Sequence, residues 1–259
     1  MPDAAVATSA PPVRCLSTGR VRTKRGERGV RRYLPGGWRD EALPVNVFLV
    51  KHADGLCLFD AGQTAAAARA GYFPSWYPFF RLARFELGPD DEVAAQLERH
   101  GVRADAIRWV VLSHLHTDHV GGLAALAGAE VIVSSREWER ARGLGGRLRG
   151  YLPQYWPPAL TPRLVDFRPR PFGPFQSVHP LSVDGALLLV STPGHTPGHL
   201  SLLVRQGRRR LLLCGDLVER ADELARKAPA IATWCRRHGV AVLATHDHHA
   251  AALAAGAAG

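Results

Sequence analysis

The chain has 259 residues, of which 46% are hydrophobic, and a formal net charge of +10 at pH 7. This length suits one α/β domain over residues 1–259, and no linker divides it. No apolar run reaches the roughly 18 residues of a membrane span, and the first residues lack the basic and apolar stretches of a secretory signal, so we expect a cytoplasmic protein without a membrane partner.

The positive charge is concentrated near one end of the chain. Arg and Lys side chains between residues 14 and 39 oppose only Glu27. A basic surface can bind phosphate backbones, but this distribution favours a solvated basic face over a nucleic-acid partner. The four cysteines show no Cys-x-x-Cys spacing, so we expect buried thiols and neither a disulfide framework nor a thiolate zinc site.

The predicted elements begin after a segment at residues 1–40 that we expect to be partly extended or loosely packed. A hairpin of strands 45–50 and 56–60 follows, with its turn at 53–55. Strand and helix then alternate. The pattern predicts helices at 89–100, 120–126, 136–142 and 221–238, and strands at 107–113, 131–134, 186–191, 200–205, 210–214 and 240–244.

Two aromatic, proline-rich segments interrupt this pattern, at residues 72–80 and 151–171. The first contains too many prolines for a regular helix and too much apolar surface for an exposed loop, and the second is predicted to be an aromatic, proline-rich loop. Their aromatic side chains could form the wall of an apolar groove or a homodimer interface, and either would use the same residues. The candidates for substrate binding are these aromatic residues, Phe73, Trp76, Tyr77, Phe80, Tyr155 and Trp156, together with Glu219.

The strongest chemical signal is the run His114-Leu115-His116-Thr117-Asp118-His119, which directly follows the strand predicted at 107–113. A tight turn there can direct several side chains into one pocket. Imidazole and carboxylate are the usual ligands of zinc and related divalent ions. A surface histidine cluster is the competing interpretation, which we disfavour because other candidate ligands also stand at strand ends. These are His195, Asp216 and His246.

Each of these three residues has an alternative. His195 lies in a turn rich in proline and glycine, which is typical of functional loops, but His199 lies in the same turn. Asp216 follows an apolar strand and could cap the next helix as well as bind a metal. His246 stands just after the last predicted strand. The alternatives to His246 are His248 and His249.

The His-x-His-x-Asp-His run, the Gly-His-Thr-x-Gly-His turn, the Gly-Asp step and the late histidine together resemble the metallo-β-lactamase superfamily over most of the chain. The resemblance implies an α/β fold, an αββα sandwich with the metal site at the sheet edge. It also implies two divalent metal ions, with zinc expected and iron or manganese compatible with the same ligands. The implied ligands are His114, His116 and His195 for one ion, Asp118, His119 and His246 for the second, and Asp216 between them.

The resemblance also implies roles for residues around the metals. In this family pattern the two ions lower the pKa of a shared water, so that hydroxide is the nucleophile. Asp118 is the implied general acid that passes a proton to the leaving group. Asp60 resembles an aspartate that orients a ligand imidazole, although a plain turn residue fits equally well. His199 then packs beside the ligands and His195 binds.

Within the superfamily the chain is most similar to the N-acyl homoserine lactonases, quorum-quenching enzymes whose substrate is a small lactone. One residue departs from that pattern. Such enzymes often carry a tyrosine three residues after the bridging aspartate, and this chain has Glu219, an acid that would disfavour a developing oxyanion. The alternatives are therefore a two-metal esterase, a phosphodiesterase or a nuclease. A protein that keeps metals only for stability is disfavoured, because it would not need all seven candidate ligands.

Overall fold

The structure is a computed structural model that describes residues 13–24, 37–74, 77, 82–207 and 209–256. Its strands are β1 (Val13–Thr23), β2 (Leu43–His52), β3 (Gly55–Phe59), β4 (Ala83–Glu86), β5 (Ile107–Val111), β6 (Glu130–Ser134), β7 (Arg163–Val165), β8 (Val178–Pro180), β9 (Leu187–Ser191), β10 (Leu200–Gln206), β11 (Arg209–Leu213) and β12 (Val240–Leu243). Its α-helices are α1 (Val93–Arg99), α2 (Thr117–Val120), α3 (Ser135–Ala141), α4 (Leu144–Arg147), α5 (Leu224–Lys227), α6 (Pro229–Arg237) and α7 (Ala250–Ala255).

The strands form two mixed sheets. The seven-stranded sheet has the order β4-β1-β2-β3-β5-β6-β7, and the five-stranded sheet has the order β12-β11-β10-β9-β8. Strands β3, β5, β6 and β7 pair in parallel, as do β11 and β12. Parallel neighbours end at the same edge of a sheet. The segments that follow β3, β5 and β6 therefore lie together, and so do those that follow β11 and β12.

The two sheets pack face to face and carry helices on their outer faces. Apolar side chains of both sheets fill the space between them, among them Phe48 and Phe59 from one sheet and Leu189 and Leu202 from the other. Helices α1 to α3 pack on the outer face of the seven-stranded sheet, and α5 and α6 pack on the five-stranded sheet. Burial of apolar surface is the main stabilising term in such a core. The layers confirm the predicted αββα sandwich.

Several predicted elements are correct to within a few residues, but two helices differ. The helix predicted at 120–126 instead begins at Thr117, ends at Val120, and is followed by a separate 3-10 turn, Leu123–Leu126. The helix predicted at 221–238 is divided into α5 and α6. The break falls at Ala228 because Pro229 disfavours a helical conformation in the residue before it.

The prediction of a loosely packed N-terminal segment is wrong for Val13–Thr23. These eleven residues form β1, an interior strand between β4 and β2. Val13, Leu16 and Val21 are buried, whereas Arg20 is exposed. A register shift between Ser17 and Arg20 interrupts the alternation of buried and exposed positions that usually marks a strand. Residues 1–12 and 25–36 lie outside the described part of the chain.

Three further strands, β4, β7 and β8, were not predicted from the sequence, and all three stand at the edges of their sheets. β7 lies inside the segment at 151–171 that was predicted to be a loop, so that prediction is wrong at Arg163–Val165. Strands of three or four residues are too short to show an alternating pattern. None of the helices in the described residues is both long and apolar enough to cross a membrane.

Candidate metal centre

The turn after β5 carries the predicted histidine-rich run. Nε2 of His114 lies 3.0 Å from Nδ1 of His116, and Nε2 of His195 lies 3.0 Å from that same Nδ1. His195 comes from the turn between β9 and β10, in the other sheet. The two sheets thus bring three imidazoles together, with one nitrogen of each within 4.8 Å of the others. We call these residues the three-histidine group.

A second group lies beside it and consists of Asp118, His119 and His246, which also bring one ligand atom each to within 4.8 Å. Asp216 contacts both groups. Its Oδ1 lies 3.4 Å from Nε2 of both His119 and His246, and its Oδ2 lies 3.6 Å from Nε2 of His195. The Asp216 carboxylate therefore stands between the two groups. We call Asp118, His119 and His246 the mixed group.

Only one of the three late histidines belongs to this arrangement. His246 is buried, and its Nδ1–H donates a hydrogen bond of 2.7 Å to the carbonyl oxygen of Pro44. That bond directs Nε2 towards Asp216. His248 and His249 are both exposed, and Nε2 of His248 lies 3.4 Å from the Glu41 carboxylate. The structure therefore brings His246, and neither alternative, to the cluster.

His199 is buried next to the three-histidine group but does not converge with it. Its Nδ1 lies 2.9 Å from Oγ1 of Thr192, and its ring centroid is 5.5 Å from that of His114. Burial lowers the pKa of His199 to about 3, so the imidazole is neutral at pH 7. His195 is thus the histidine of this turn that faces the site, while His199 packs behind it.

Asp60 holds one of the imidazoles from behind. Its Oδ2 accepts a hydrogen bond of 2.8 Å from Nδ1 of His119, so that Nε2 faces Asp216. Ser113 supplies two further bonds, from its backbone nitrogen at 2.7 Å and its hydroxyl at 2.9 Å. Among the described residues other than glycine, only Asp60 has a positive φ, at 63°. Backbone conformations of this kind cluster at functional sites, because the surrounding contacts must hold them.

The donor atoms of the cluster fit divalent metal ions. Nε2 of His119 and Oδ1 of Asp216 are buried and lie 3.4 Å apart, but neither makes a hydrogen bond within the described residues. His116 donates its Nε2–H to the carbonyl oxygen of Arg149 at 3.1 Å, which leaves Nδ1 as the lone-pair donor on the cluster side. Such outer contacts are typical of metal-binding histidines. The two groups can therefore hold two ions, with Asp216 within reach of both.

The pKa values of the histidines differ between the two groups. Burial and the neighbouring His195 lower the pKa of His116 to about 4. Burial also acts to lower the pKa of His246, but the Asp216 carboxylate outweighs it and raises that pKa to about 9. The pKa of His119 is likewise raised well above its usual value, since Asp216 overcomes the effect of burial. Without metal, the imidazoles of the three-histidine group are neutral at pH 7, whereas those of His119 and His246 are protonated.

This difference predicts that the two metals bind with different pH dependence. An ion entering the mixed group must displace the proton of His246, so we expect its apparent affinity to rise about tenfold per pH unit between pH 7 and 9 for each proton displaced. The ion in the three-histidine group competes with no proton on His116 above pH 6. Competition titrations of chelator-stripped protein with Zn²⁺ and a chromophoric chelator would measure both slopes. Equal slopes for the two ions would contradict the prediction.

The pH dependence of the stability of the metal-free protein also reports the protonation of His246. Because the folded-state pKa of His246 lies above the usual value of 6.5, its protonation stabilises the fold below pH 6.5. That contribution is lost as the pH rises through about 9. We therefore expect the free energy of unfolding of chelator-stripped protein to fall over this range, and the zinc-loaded protein to show a weaker dependence.

The cluster opens into a cavity of about 830 Å³. This volume is in the range of small-molecule sites. One part of the wall is apolar and includes Val21, Leu43, Tyr77 and Phe85. The polar lining includes Arg149, Glu219 and Lys227, together with Asp118 and Asp216 of the cluster. The arrangement suits a ligand with a reactive polar end at the cluster and an apolar arm.

The predicted substrate-binding residues are only partly at this cavity. Tyr77 and Glu219 line it. Trp156 does not face it, because its ring is buried against Trp138 at a centroid distance of 5.2 Å, and the prediction for Trp156 is wrong. The reason is that Trp156 covers the outer core of the seven-stranded sheet.

Phe73 and Tyr155 also serve in packing. Their ring centroids are 5.9 Å apart, and Tyr155 lies 4.6 Å from Tyr72, to whose carbonyl oxygen it donates a hydrogen bond. The three aromatic rings pack against one another. Neither Phe73 nor Tyr155 belongs to the described cavity lining, whereas both were predicted to bind substrate. The two remaining candidates, Trp76 and Phe80, lie outside the described residues.

Two buried acids near the cluster were not predicted from the sequence. Asp247 accepts hydrogen bonds of 2.8 Å from the backbone nitrogens of Ala221 and His249. Glu137 lies on the first turn of α3 and is fully buried. The spacing Ser134-x-x-Glu137 is typical of a capping box, and that pattern predicts no more than the start of a helix. Nothing in the local pattern marks Glu137 as buried.

Comparisons with known proteins agree with this geometry. The family model for the metallo-beta-lactamase superfamily matches residues 40–249. A probable metallo-hydrolase of Mycobacterium bovis is 36% identical over 185 residues, which are 68% of this chain and 57% of that protein. The chain thus spans a little over half the length of that relative. N-acyl homoserine lactonase AttM of Azorhizobium caulinodans is 28% identical over 239 residues, which are 82% of this chain and 85% of that protein.

Solved structures show the same fold. An N-acyl homoserine lactone hydrolase with N-hexanoyl-L-homoserine bound at its catalytic metal center superposes with a TM-score of 0.73 and 20% identity, over 93% of this chain and 95% of that chain. AidC, a dizinc quorum-quenching lactonase, superposes with a TM-score of 0.61 and 16% identity, over 92% of this chain and 88% of that chain. At these identities the likeness is one of fold, and substrate must be argued from the site.

Proposed function

Because the chain belongs to the metallo-β-lactamase superfamily, we propose that it is a two-metal hydrolase that opens lactone rings, with N-acyl homoserine lactones as the substrate class. The observation that carries this proposal is the His and Asp cluster at the base of a cavity with an apolar wall. The AttM relative supports the substrate class, and the M. bovis relative supports hydrolysis by a metal-dependent enzyme.

We assign the three-histidine group to one ion and the mixed group to the other, with Asp216 as the carboxylate that both can share. Two divalent ions, for which we propose zinc, would lower the pKa of water and polarise the substrate carbonyl. The hydrogen bonds of His116, His119 and His246 to Arg149, Asp60 and Pro44 keep one nitrogen of each ring available. The protein thus contributes an arrangement of ligands formed before substrate arrives.

Asp118 is our candidate for proton transfer. It lines the cavity, and its oxygens lie 3.9 Å from Nε2 of His119 and 3.7 Å from Nε2 of His246. In ring opening, water adds to the carbonyl carbon and the bond between that carbon and the ring oxygen breaks. We assign to Asp118 the transfer of the proton from water to the ring oxygen, so that the product leaves as a hydroxy acid.

Glu219 is the main departure from the lactonase pattern, and the structure offers a reason why it is tolerated. Its Oε1 lies 2.8 Å from the Arg39 guanidinium. Both side chains are partly exposed, so the pair contributes little to stability. The main effect of the ion pair is electrostatic, because the Arg39 guanidinium offsets the negative charge of Glu219 on the cavity wall. A carbonyl oxygen that gains charge during ring opening then faces less repulsion from Glu219.

The apolar wall would bind the acyl arm of the substrate. Each methylene removed from water contributes about 0.8 kcal/mol, and Val21, Leu43 and Phe85 supply the surface. Affinity should therefore increase with acyl-chain length until the wall is covered.

The test is a substrate panel for protein of known metal content. It contains acyl homoserine lactones of several chain lengths, simple lactones, aryl esters and phosphodiesters. We expect about two metal ions per chain, and kcat/KM highest for the acyl homoserine lactones. Fast cleavage of esters or phosphodiesters with inert lactones would reject the lactonase proposal and retain the metal site.

A further inference from the structure

Glu137 is a buried carboxylate that belongs to neither ligand group. Its Oε1 accepts a hydrogen bond of 3.1 Å from the backbone nitrogen of Leu115. Its Oε2 accepts one of 2.8 Å from the Thr196 hydroxyl and one of 3.2 Å from the backbone nitrogen of Gly198. The donors are two peptide groups and one hydroxyl.

The residues that Glu137 holds are the neighbours of the three-histidine group. Leu115 stands between His114 and His116, in the turn after β5 of the seven-stranded sheet. Thr196 directly follows His195, in the turn between β9 and β10 of the five-stranded sheet. One carboxylate therefore ties together the two turns that supply all three imidazoles, and it does so across the interface of the sheets.

Close packing supports this contact. A Cβ atom at Gly198 would lie 2.2 Å from the backbone nitrogen of Glu137, so the turn can approach α3 only because residue 198 is glycine. Ser134 adds a second link, since its hydroxyl donates to the carbonyl oxygen of Gly198 and accepts from the Glu137 backbone nitrogen. The Ser134 side chain thus caps the N-terminus of α3, and the Glu137 carboxylate binds the two turns instead.

The burial of the Glu137 carboxylate indicates that it does more than fill space between the sheets. A buried carboxylate is costly unless hydrogen bonds replace its hydration. The three hydrogen bonds that the Glu137 carboxylate accepts come from neutral groups. A purely apolar contact between the sheets would avoid this cost. An acceptor with two oxygens, by contrast, can bind donors from both turns at once.

We propose that Glu137 is a positioning residue that sets the spacing of the three-histidine group and thereby determines metal affinity at that group. The inference rests on the ligand assignment of the proposed function, but not on the identity of the substrate. Residues that orient metal ligands commonly change metal affinity by 10–100-fold when they are replaced.

The test uses Glu137→Gln, which keeps the shape of the side chain but replaces one acceptor oxygen with an amide NH₂ group. We expect Co²⁺ and Zn²⁺ affinity at the three-histidine group to fall about 10–100-fold, with affinity at the mixed group changed less than about threefold. In the visible spectrum of the Co²⁺-loaded protein, the absorption bands of the ion at the three-histidine group should change, and those of the ion at the mixed group should not. The matched control is Glu139→Gln, on the exposed face of the same helix, which should change neither affinity.

The affinity of the three-histidine group is measured separately in a His246→Ala background, which removes a ligand from the mixed group. If Glu137→Gln does not fold, Thr196→Val removes one of the three donors, and Thr196→Ser should restore wild-type affinity because it keeps the hydroxyl. Unchanged affinity in folded Glu137→Gln, or an equal loss at both groups, would overturn the proposal. Since metal binding is measured without substrate, failure of the lactonase assignment would leave this result intact.

Discussion

Replacement of His116 by alanine is expected to reduce kcat/KM for lactone opening by about a thousandfold or more, equivalent to about 4 kcal/mol of lost transition-state stabilisation. Nδ1 of His116 is the atom to which both His114 and His195 point, each at 3.0 Å. Its removal leaves two imidazoles where three converge. We therefore also expect the metal content to fall from two ions per chain towards one.

The measurement combines metal analysis with initial rates on an acyl homoserine lactone. His248→Ala is the matched control, because His248 is an exposed histidine outside both groups and should leave the rate and the metal content unchanged. Far-UV circular dichroism checks the fold of each variant. Two tightly bound ions and a wild-type rate in His116→Ala would refute the ligand assignment.

Replacement of Asp60 by asparagine is expected to have the second largest effect, on stability and metal binding together. Asparagine tolerates the positive φ of 63° and has the same shape. Its amide oxygen can still accept from the Ser113 backbone nitrogen, but an NH₂ group in place of Oδ2 cannot accept from the Ser113 hydroxyl or from Nδ1 of His119. We expect a loss of about 1–3 kcal/mol in the free energy of unfolding, because a buried donor is left unpaired.

Zinc affinity at the mixed group should also fall about 10–100-fold in Asp60→Asn, since His119 is no longer fixed from behind. Urea denaturation with and without zinc measures the first effect, and chelator competition measures the second. Asp105→Asn is the control, because Asp105 is an exposed acid paired only with Arg103 in the described structure. A stable Asp60→Asn protein with normal zinc affinity would show that the contact to His119 is dispensable.

Much of the site could be predicted from the sequence because its chemistry is local. The run from His114 to His119 directly follows a strand whose burial is visible in its apolar residues. The same holds for Asp216 and His246, each of which stands a few residues beyond an apolar strand. The strand patterns place each candidate just beyond the end of a strand, and the resemblance to the superfamily joined these candidates into one set of ligands.

Contacts between distant segments could not be predicted in this way. The buried position of Trp156, the ion pair of Arg39 with Glu219 and the choice of His246 over His248 depend on packing between elements far apart in the chain. The strand β1 was not predicted because its register shifts between Ser17 and Arg20, so its burial does not alternate regularly.

Glu137 illustrates most directly why contacts between distant segments cannot be predicted from local sequence patterns. In the sequence it stands three residues after Ser134, a spacing that indicates a helix start and an exposed acid. Its burial and its hydrogen bonds to both histidine turns arise only when the two sheets pack against each other. Periodicity and motif spacing report which residues end each strand. The sequence by itself therefore determined the candidate ligands, and its resemblance to the superfamily implied the layered fold, while tertiary packing decided which side chains hold those ligands and which face the cavity.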